Sequence, residues 1–243
     1  MNEQVESSYD YRQSHLKKGV DYDRDLATGD FNTYMAHREV ELLRRIVPVL
    51  FPEKIPRYLD FACGTGRITS VMEDMAQTSF GMDVSESMVA QARRRCLNTE
   101  FVLADITARS VELEPVDCVT AFRFFGNAQD SLRASVLEKL SALVATDGYL
   151  IINNHRNPKS LHDQLLRLKG HEPETDLDHT KLRELLAEHK FEVVKTIGIG
   201  LWVCTHSLRM APYQSGLRHL ESLSTLPGLG SLCPDAVIVA KRI

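Results

Sequence analysis

Excess positive charge is the first thing missing from this 243-residue chain: Lys and Arg number 29 against 33 Asp and Glu, a net charge of −4. The longest basic run is Arg93-Arg94-Arg95, on a stretch of helical pattern where a solvated face is the plainer reading. Nucleic-acid binders displace counterions with a basic stripe, and this composition supplies none, so no nucleic-acid partner is expected. Cysteine pairs are missing too. Cys63, Cys96, Cys118, Cys204 and Cys233 are scattered without C-x-x-C spacing, which argues against a zinc site or a disulfide framework, and no metal is expected. No run approaches the roughly 18–20 apolar residues that span a bilayer. The polar N-terminus MNEQVESSYDYRQ lacks the apolar core of a secretory leader. Internal repeats and low-complexity tracts are absent as well. These absences leave a cytoplasmic globular protein with free thiols suited to a reducing compartment and no membrane partner.

The hydrophobic pattern changes period along the chain. YMAHREVELLRRIVPVLF (34–51) has apolar residues at helical spacing, with Val40, Leu43 and Ile46 on one face and Pro48 ending or bending the helix. From residue 57 short β-rich runs alternate with helical stretches. Strands are expected at 57–62, 79–83, 100–105, 117–125 and 149–154, with helices at 67–77, 85–96 (N-capped by Ser85) and 130–144, the last closed by Asp147-Gly148. A helix at 179–189 then leads to FEVVKTIGIG (191–200), and the chain closes on DAVIVAKRI (235–243). Strand–helix alternation implies a mainly parallel sheet, and two late strands without a helix between them imply an antiparallel pair at its edge. The expected fold is α/β: a Rossmann-like, doubly wound, seven-stranded sheet with an antiparallel C-terminal strand pair and an N-terminal helical extension. We read residues 1–243 as one domain, with a helical cap at 1–50, a cofactor-binding half at 51–155 and a C-terminal half at 156–243.

In such sheets ligands bind beyond the carboxyl ends of the strands, and the turn after the first strand is the usual place. Here it reads YLDFACGTGRIT (58–69), with Gly64 and Gly66 allowing close backbone approach. A dinucleotide fingerprint wants a third glycine where this chain has Thr69, and no G-x-x-x-x-G-K-S/T string for a phosphate loop lies near. A nucleoside ligand without phosphate needs neither device.

LDFACGTGR resembles motif I of the class I S-adenosylmethionine-dependent methyltransferases, commonly D-x-x-C-G-T-G, with Ala62 where glycine is commoner. GMDVSESM (81–88), VLADIT (102–107), DCVTAFRFFGN (117–127) and the Asp-Gly before YLIINN resemble the family's later motifs, in order. The resemblance implies S-adenosylmethionine as cofactor. Asp83 would accept the ribose hydroxyls and Asp105 the adenine amino group, with Val84, Met88 and Ile106 as apolar walls. Asp60 and the carbonyls of Ala62 and Phe122 would meet the positive amino end, Gly64 and Gly66 would form the turn, and Cys63 would be small filler beside it. Strand-terminal aspartates also serve as helix N-caps, but three at matching strand ends favour a site. Tyr22 or Tyr34, in the N-terminal segment that folds over the cofactor in small-molecule members, is a candidate contact for the methionine carboxylate.

Methyl transfer from a sulfonium is a direct displacement in which positioning supplies much of the rate. A base, if used, should project from the ends of strands four and five, where Arg123, Asn127, Asn154, His155 and Arg156 lie; His155 is the candidate. Its plainer reading is a loop histidine bonded to backbone or solvent. Arg123 either anchors an acidic substrate or pairs with a nearby carboxylate. Asn127, Tyr34, Arg209 and Tyr213 are further candidate substrate contacts. The last two belong to an insertion at about 202–232 that also carries Trp202, His206 and Arg218 and could be a lid or a packed helix. No Asp/Asn/Ser-Pro-Pro-aromatic string follows the fourth strand and no cysteine pair marks a base-carbon methylator. The leading reading is therefore methylation of an oxygen or nitrogen of a small-molecule acceptor, with a homodimer as the candidate assembly. The rivals are a protein or RNA methyltransferase and a non-catalytic cofactor-binding subunit.

Overall fold

A computed structural model describes residues 30–108, 113–172, 175–201, 224, 226 and 228–243, with side chains from Thr33 onward. Helix α1 (Asp30–Leu50) precedes strand β1 (Ile55–Phe61), a short helix α2 (Thr69–Met72) that runs into a 3-10 turn, and β2 (Ala76–Asp83). Then come α3 (Glu86–Arg95), β3 (Thr99–Leu103), β4 (Val116–Ala121), α4 (Asp130–Leu143) and β5 (Val144–Asn154). The chain continues through α5 (Leu161–Arg167), α6 (His179–Glu188), β6 (Phe191–Ile199) and β7 (Asp235–Arg242). The strands form one sheet in the order β3-β2-β1-β4-β5-β7-β6. The first five are parallel, and β7 inserts antiparallel between β5 and β6. Both neighbours of β1 are reached by crossovers in opposite directions, so the sheet reverses its winding beside β1 and β4, where ligands of doubly wound sheets bind.

Side-chain alternation along the strands sorts the core onto two faces. Leu59, Val119, Leu150, Ile152 and Ile238 pack on Leu132, Val136 and Leu140 of α4 and on Leu182 and Leu186 of α6. Tyr58, Cys118, Ile151, Val237 and Val239 face Met35, Leu42, Leu43, Ile46 and Val47 of α1.

The seven-stranded, mainly parallel sheet and its antiparallel C-terminal pair agree with the sequence reading; several boundaries do not. Of the two roles expected for Pro48, it does not end α1. It falls in the last turn, where only one intrahelical bond is forfeited, and Phe51 N–H still reaches Val47 O at 2.8 Å. The helix expected over 67–77 shrinks to four residues plus a 3-10 turn, because Ala76 and Thr78 are taken into the sheet opposite Ile55 and Arg57. Asp147-Gly148 does not close α4. It makes a bend inside a long β5, with Asp147 at φ 66° and a register shift against β4. β4 ends at Ala121 rather than 125, so Phe122–Phe125 leave the sheet and reach the ligand edge. Helix α5 lies where the hydrophobic pattern gave no element. The Arg93–Arg95 run is exposed on α3, a solvated face as expected. No described helix is long and apolar enough to cross a membrane.

Candidate functional site

A cleft enclosing about 690 Å³, part of it open to solvent, lies at the carboxyl ends of β1, β2 and β4. Its polar lining includes Asp83, Asp105 and Arg123, and Ala62 and Gly64 of the turn also line it. Val84, Met88, Ile106 and Phe122 supply apolar wall, joined by Phe61 and Phe124, which meet edge to face at 5.0 Å. Eight of the cofactor candidates read from the sequence thus line one space.

The turn is set by the backbone. Ala62, Gly64 and Gly66 all have positive φ, at 53°, 55° and 78°. This explains why glycine is the commoner residue at position 62: alanine there carries a Cβ penalty of about 1 kcal/mol. A Cβ on Gly64 would meet nothing within 4 Å, so the turn faces open space on the cavity side. A Cβ on Gly66 would instead strike Cys96 and Ala92 at 3.0–3.1 Å, so that glycine serves the packing of α3 against the turn.

Asp83 holds this geometry while facing the cavity. Its Oδ2 accepts from Gly64 N–H at 2.8 Å and its Oδ1 from Ser85 N–H at 2.9 Å, the residue that caps α3. Asp105 lies two residues past β3, and its Oδ1 accepts from the Thr107 amide and hydroxyl at 2.9 and 2.7 Å.

Asp60 does not line the cavity. It sits buried beneath the turn, Oδ2 accepting from Thr69 Oγ1 at 2.5 Å and Oδ1 from Thr120 Oγ1 at 2.8 Å. Burial pushes its carboxyl up to about 6, against the two hydroxyls and the Arg67 charge. Thr69, the residue standing where a dinucleotide motif has glycine, therefore spends its hydroxyl on Asp60. Cys63 is buried beside the turn, and its thiol is pushed well up by burial and by Asp60 and Asp83, the environment of filler rather than of a nucleophile.

The edge past β4 and β5 is built around Glu39, a fully buried carboxylate on α1. Glu39 Oε2 pairs with Arg67 Nη2 at 2.7 Å, Oε1 accepts from Asn153 Nδ2 at 2.7 Å, and Arg123 Nε lies 3.8 Å from Oε1. Asn153 Oδ1 accepts from the Arg123 amide at 2.5 Å, which holds Arg123, a residue of the cavity lining, at φ 59°. The Arg123–carboxylate pairing offered by the sequence is thus formed. Asn127 braces the same turn by donating from Nδ2 to Arg123 O at 2.7 Å. At the start of β7, Asp235 is fully buried, with the Asn153 side chain and the Ala236 amide beside its carboxyl. Burial and the Glu39 charge hold it well above the usual carboxylate range, Arg123 opposing.

His155 follows β5 directly and packs against Gly126, where a Cβ would come within 3.0 Å of its ring. Its Nδ1 is buried without a partner. Burial, then Arg123, Arg156 and Arg67, hold the imidazole well below its ordinary range and therefore neutral. Its neighbour Asn154 points elsewhere, donating to Leu177 O at 2.9 Å and meeting His179 Nδ1 at 3.2 Å. Tyr34 is buried in the α1 core and is not among the cavity-lining residues. Tyr22, Arg209 and Tyr213, with Trp202, His206 and Arg218, lie outside the described residues.

Sequence reasoning missed Glu39, Arg67, Asn153 and Asp235. Glu39 alone gave a signal: it stands at helical spacing from Met35, Leu42, Leu43 and Ile46, an acid on the buried stripe.

The comparisons agree with this geometry. Residues 59–148 match a family model described as a methyltransferase domain. No curated protein matches the sequence. Among solved structures, the chain is similar to magnesium protoporphyrin IX methyltransferase (ChlM) from Synechocystis PCC 6803 with bound S-adenosylhomocysteine. There the TM-score is 0.66 at 16% identity, covering 96% of this chain and 98% of that one. It is similar to the N-methyltransferase NodS from Bradyrhizobium japonicum WM9 in complex with S-adenosylhomocysteine, with a TM-score of 0.60 at 16% identity over 96% and 98% of the two chains. A methyltransferase from Archaeoglobus fulgidus gives 0.58 at 19% identity over 85% and 94%. The residues present suit S-adenosylmethionine: a turn open toward the cavity, carboxylates at the ends of β2 and β3, and an apolar wall between them. Motif and match agree: residues 59–148 match the methyltransferase domain, and the chain shares the fold of these S-adenosylhomocysteine-bound methyltransferases over 96% of its length.

Proposed function

We propose that this methyltransferase acts on an oxygen or nitrogen of a small molecule by direct displacement. The observation that favours the reading is the cleft at the β1–β4 edge, walled mainly by apolar side chains, with Arg123 the one basic residue among its described lining. The bound cofactor supplies an electrophilic methyl group on a sulfonium. Asp83 and Asp105 would hold the ribose and adenine, and Gly64 would let the chain approach the amino-acid end. Asp60 would act from beneath the turn as a negative charge rather than as a direct contact. Phe61, Phe122 and Phe124 keep water from the reacting atoms.

His155 is the candidate base. It is neutral, with an unpartnered Nδ1, and can accept a proton from a hydroxyl or ammonium. Three guanidiniums beside it make the imidazolium costly, so the proton must pass on promptly, and positioning carries most of the rate. Residues 1–243 are read as one such unit, supported by solved methyltransferases that align over 96% of the chain. The buried free thiols Cys63, Cys96, Cys118 and Cys233 suit a reducing cytoplasm.

The test is a screen for S-adenosylhomocysteine release from S-adenosylmethionine across small metabolites, with protein and RNA fractions in parallel. Turnover confined to the protein or RNA fractions overturns the small-molecule reading.

A further inference from the structure

Gly126 is a glycine that its backbone does not require. Its φ lies outside the left-handed region, so alanine would suit the main chain. The surroundings are what exclude one: a Cβ would come within 3.0 Å of Cε1 and Nδ1 of His155 and 3.5 Å of Asn154 Oδ1. One ring nitrogen and one amide oxygen therefore face the same small space beside the turn after β4. Both atoms are buried, and among the described residues neither meets a hydrogen-bond partner. Buried polar atoms ordinarily find one, and leaving two unpaired on one space is costly enough to favour their pairing with each other.

The neighbouring bonds fix what each atom can do. Leu177 O is a carbonyl and only accepts, so the Asn154 atom 2.9 Å from it is the Nδ2 donor. His179 agrees independently. Its Nε2 faces Cys233 O at 3.1 Å and must donate, which leaves Nδ1 to accept from Asn154 Nδ2 at 3.2 Å. Two contacts on the far side thus hold the amide, and its oxygen is turned back toward Gly126. That oxygen can only accept. His155 Nδ1 satisfies it by carrying the ring's hydrogen, whereas a bare Nδ1 would set two lone pairs against each other in a buried place.

Resting on the reading of His155 as the base, we infer that Asn154 is its positioning residue: Asn154 Oδ1 receives the Nδ1 hydrogen of His155 and fixes the tautomer whose Nε2 is bare. A small turn of the imidazole over Gly126 closes the bond. The acceptor's proton then passes to Nε2 as its oxygen or nitrogen takes the methyl group and the sulfur keeps the bonding pair. The ring becomes an imidazolium that still donates from Nδ1 to Asn154. A histidine held by an oriented partner on one nitrogen presents the other in a defined state. Here the orientation is passed from Cys233 O through His179 and Asn154, so α6 and the start of β7 support a nitrogen at the end of β5.

The experiment is two-bond proton–nitrogen correlation NMR at neutral pH on the full chain, isotope-labelled at its histidine nitrogens and saturated with S-adenosylhomocysteine. The His155 signals are assigned by their loss in His155→Gln. Wild type is expected to carry the hydrogen on Nδ1. Gly126→Ala sets a methyl against the ring and the amide oxygen while keeping both residues, and should move about half or more of the population to the Nε2–H tautomer. Asn154→Leu should do the same. It also gives up the bonds to Leu177 and His179, so Gly126→Ala carries the test if that variant does not fold. A hydrogen on Nε2 in wild type, as a water donating to both atoms would produce, overturns the inference. An Nδ1–H tautomer that persists in Gly126→Ala overturns it too. Once the screen supplies an acceptor, Gly126→Ala should lower kcat about tenfold with the KM for S-adenosylmethionine within about threefold. Loss of turnover in His155→Gln together with an Nε2 hydrogen in wild type removes this inference and leaves the base reading intact. Wild-type turnover in His155→Gln removes that reading, and the role of Asn154 with it.

Discussion

Removing Glu39 tests whether the acceptor edge is held as described. The side chain is fully buried and serves three partners: Arg67 at 2.7 Å, Asn153 at 2.7 Å and Arg123 at 3.8 Å. Breaking a buried ion pair by deleting one member costs about 3–5 kcal/mol when the survivor is stranded. Here the survivors keep some water, Arg67 being 21% and Arg123 12% exposed, so the penalty is smaller. A stranded guanidinium pair and one lost charge-assisted bond to Asn153 together give about 2–4 kcal/mol for Glu39→Ala. At about 2–4 °C per kcal/mol for a chain of this size, the melting temperature should fall by roughly 5–15 °C. Glu39→Gln keeps the shape but sets an amide donor against Arg67 Nη2, so it should also lose about 1–3 kcal/mol. Urea unfolding followed by circular dichroism reads both. The S-adenosylhomocysteine affinity of Glu39→Ala should fall severalfold as well, because Asn153, which fixes Arg123 on the cavity wall, loses its anchor. A stability loss below about 1 kcal/mol for Glu39→Ala would refute the buried network.

Other positions give independent checks. Asp83→Asn keeps one acceptor but opposes an amide donor to either Gly64 N–H or Ser85 N–H. We expect a loss of about 2–4 kcal/mol in S-adenosylhomocysteine binding by calorimetry, and an affinity within threefold of wild type would contradict the ribose assignment. Ala62→Gly relieves a φ of 53° and should raise stability by up to about 1 kcal/mol despite glycine's entropy cost; a clear destabilisation would argue against that backbone. Asp60 has a folded value near 6 against an ordinary 3.8, so it favours the fold while protonated and that contribution is lost as pH rises through about 6. Asp60→Asn should therefore gain on wild type by about 2–3 kcal/mol between pH 4 and pH 7 in urea unfolding, and a difference flat in pH would show that Asp60 is not buried as described. Nitrogen-detected NMR of His155 should show a neutral ring through the range where a free histidine titrates, and an ordinary titration there would place the three arginines farther away.

The cofactor half of the site was legible because local sequence fixes it. Gly64 and Gly66 sit within one turn, Asp83 is the last residue of β2 and Asp105 stands two residues past β3, and apolar runs mark both strand ends. Each assignment needs only the strand-to-loop boundary, and even the misplaced ends of β3 and β4 moved no lining residue out of reach. Helix boundaries fared worse where tertiary pairing decided them: of the span 67–77, a 3-10 turn takes Glu73–Met75 and the sheet claims Ala76 and Gln77.

The acceptor half was illegible for a different reason, and the reason bears on what the edge does. Glu39, Arg67, Arg123, Asn153 and Asp235 come from five separate stretches, and nothing in the spacing of any one foretells the others. A purely structural need would be met by apolar residues, which pack such an edge at no desolvation cost. Instead α1 carries an acid on its buried stripe to meet arginines from two turns, a second carboxyl is fully buried at the start of β7, and Arg123 is kept in a left-handed backbone. Each of these departures costs stability, and they cluster at the mouth of one cavity. Strain and unpaired polar groups gathered beside the predicted path of a methyl group mark the place where the acceptor must supply what the fold leaves open.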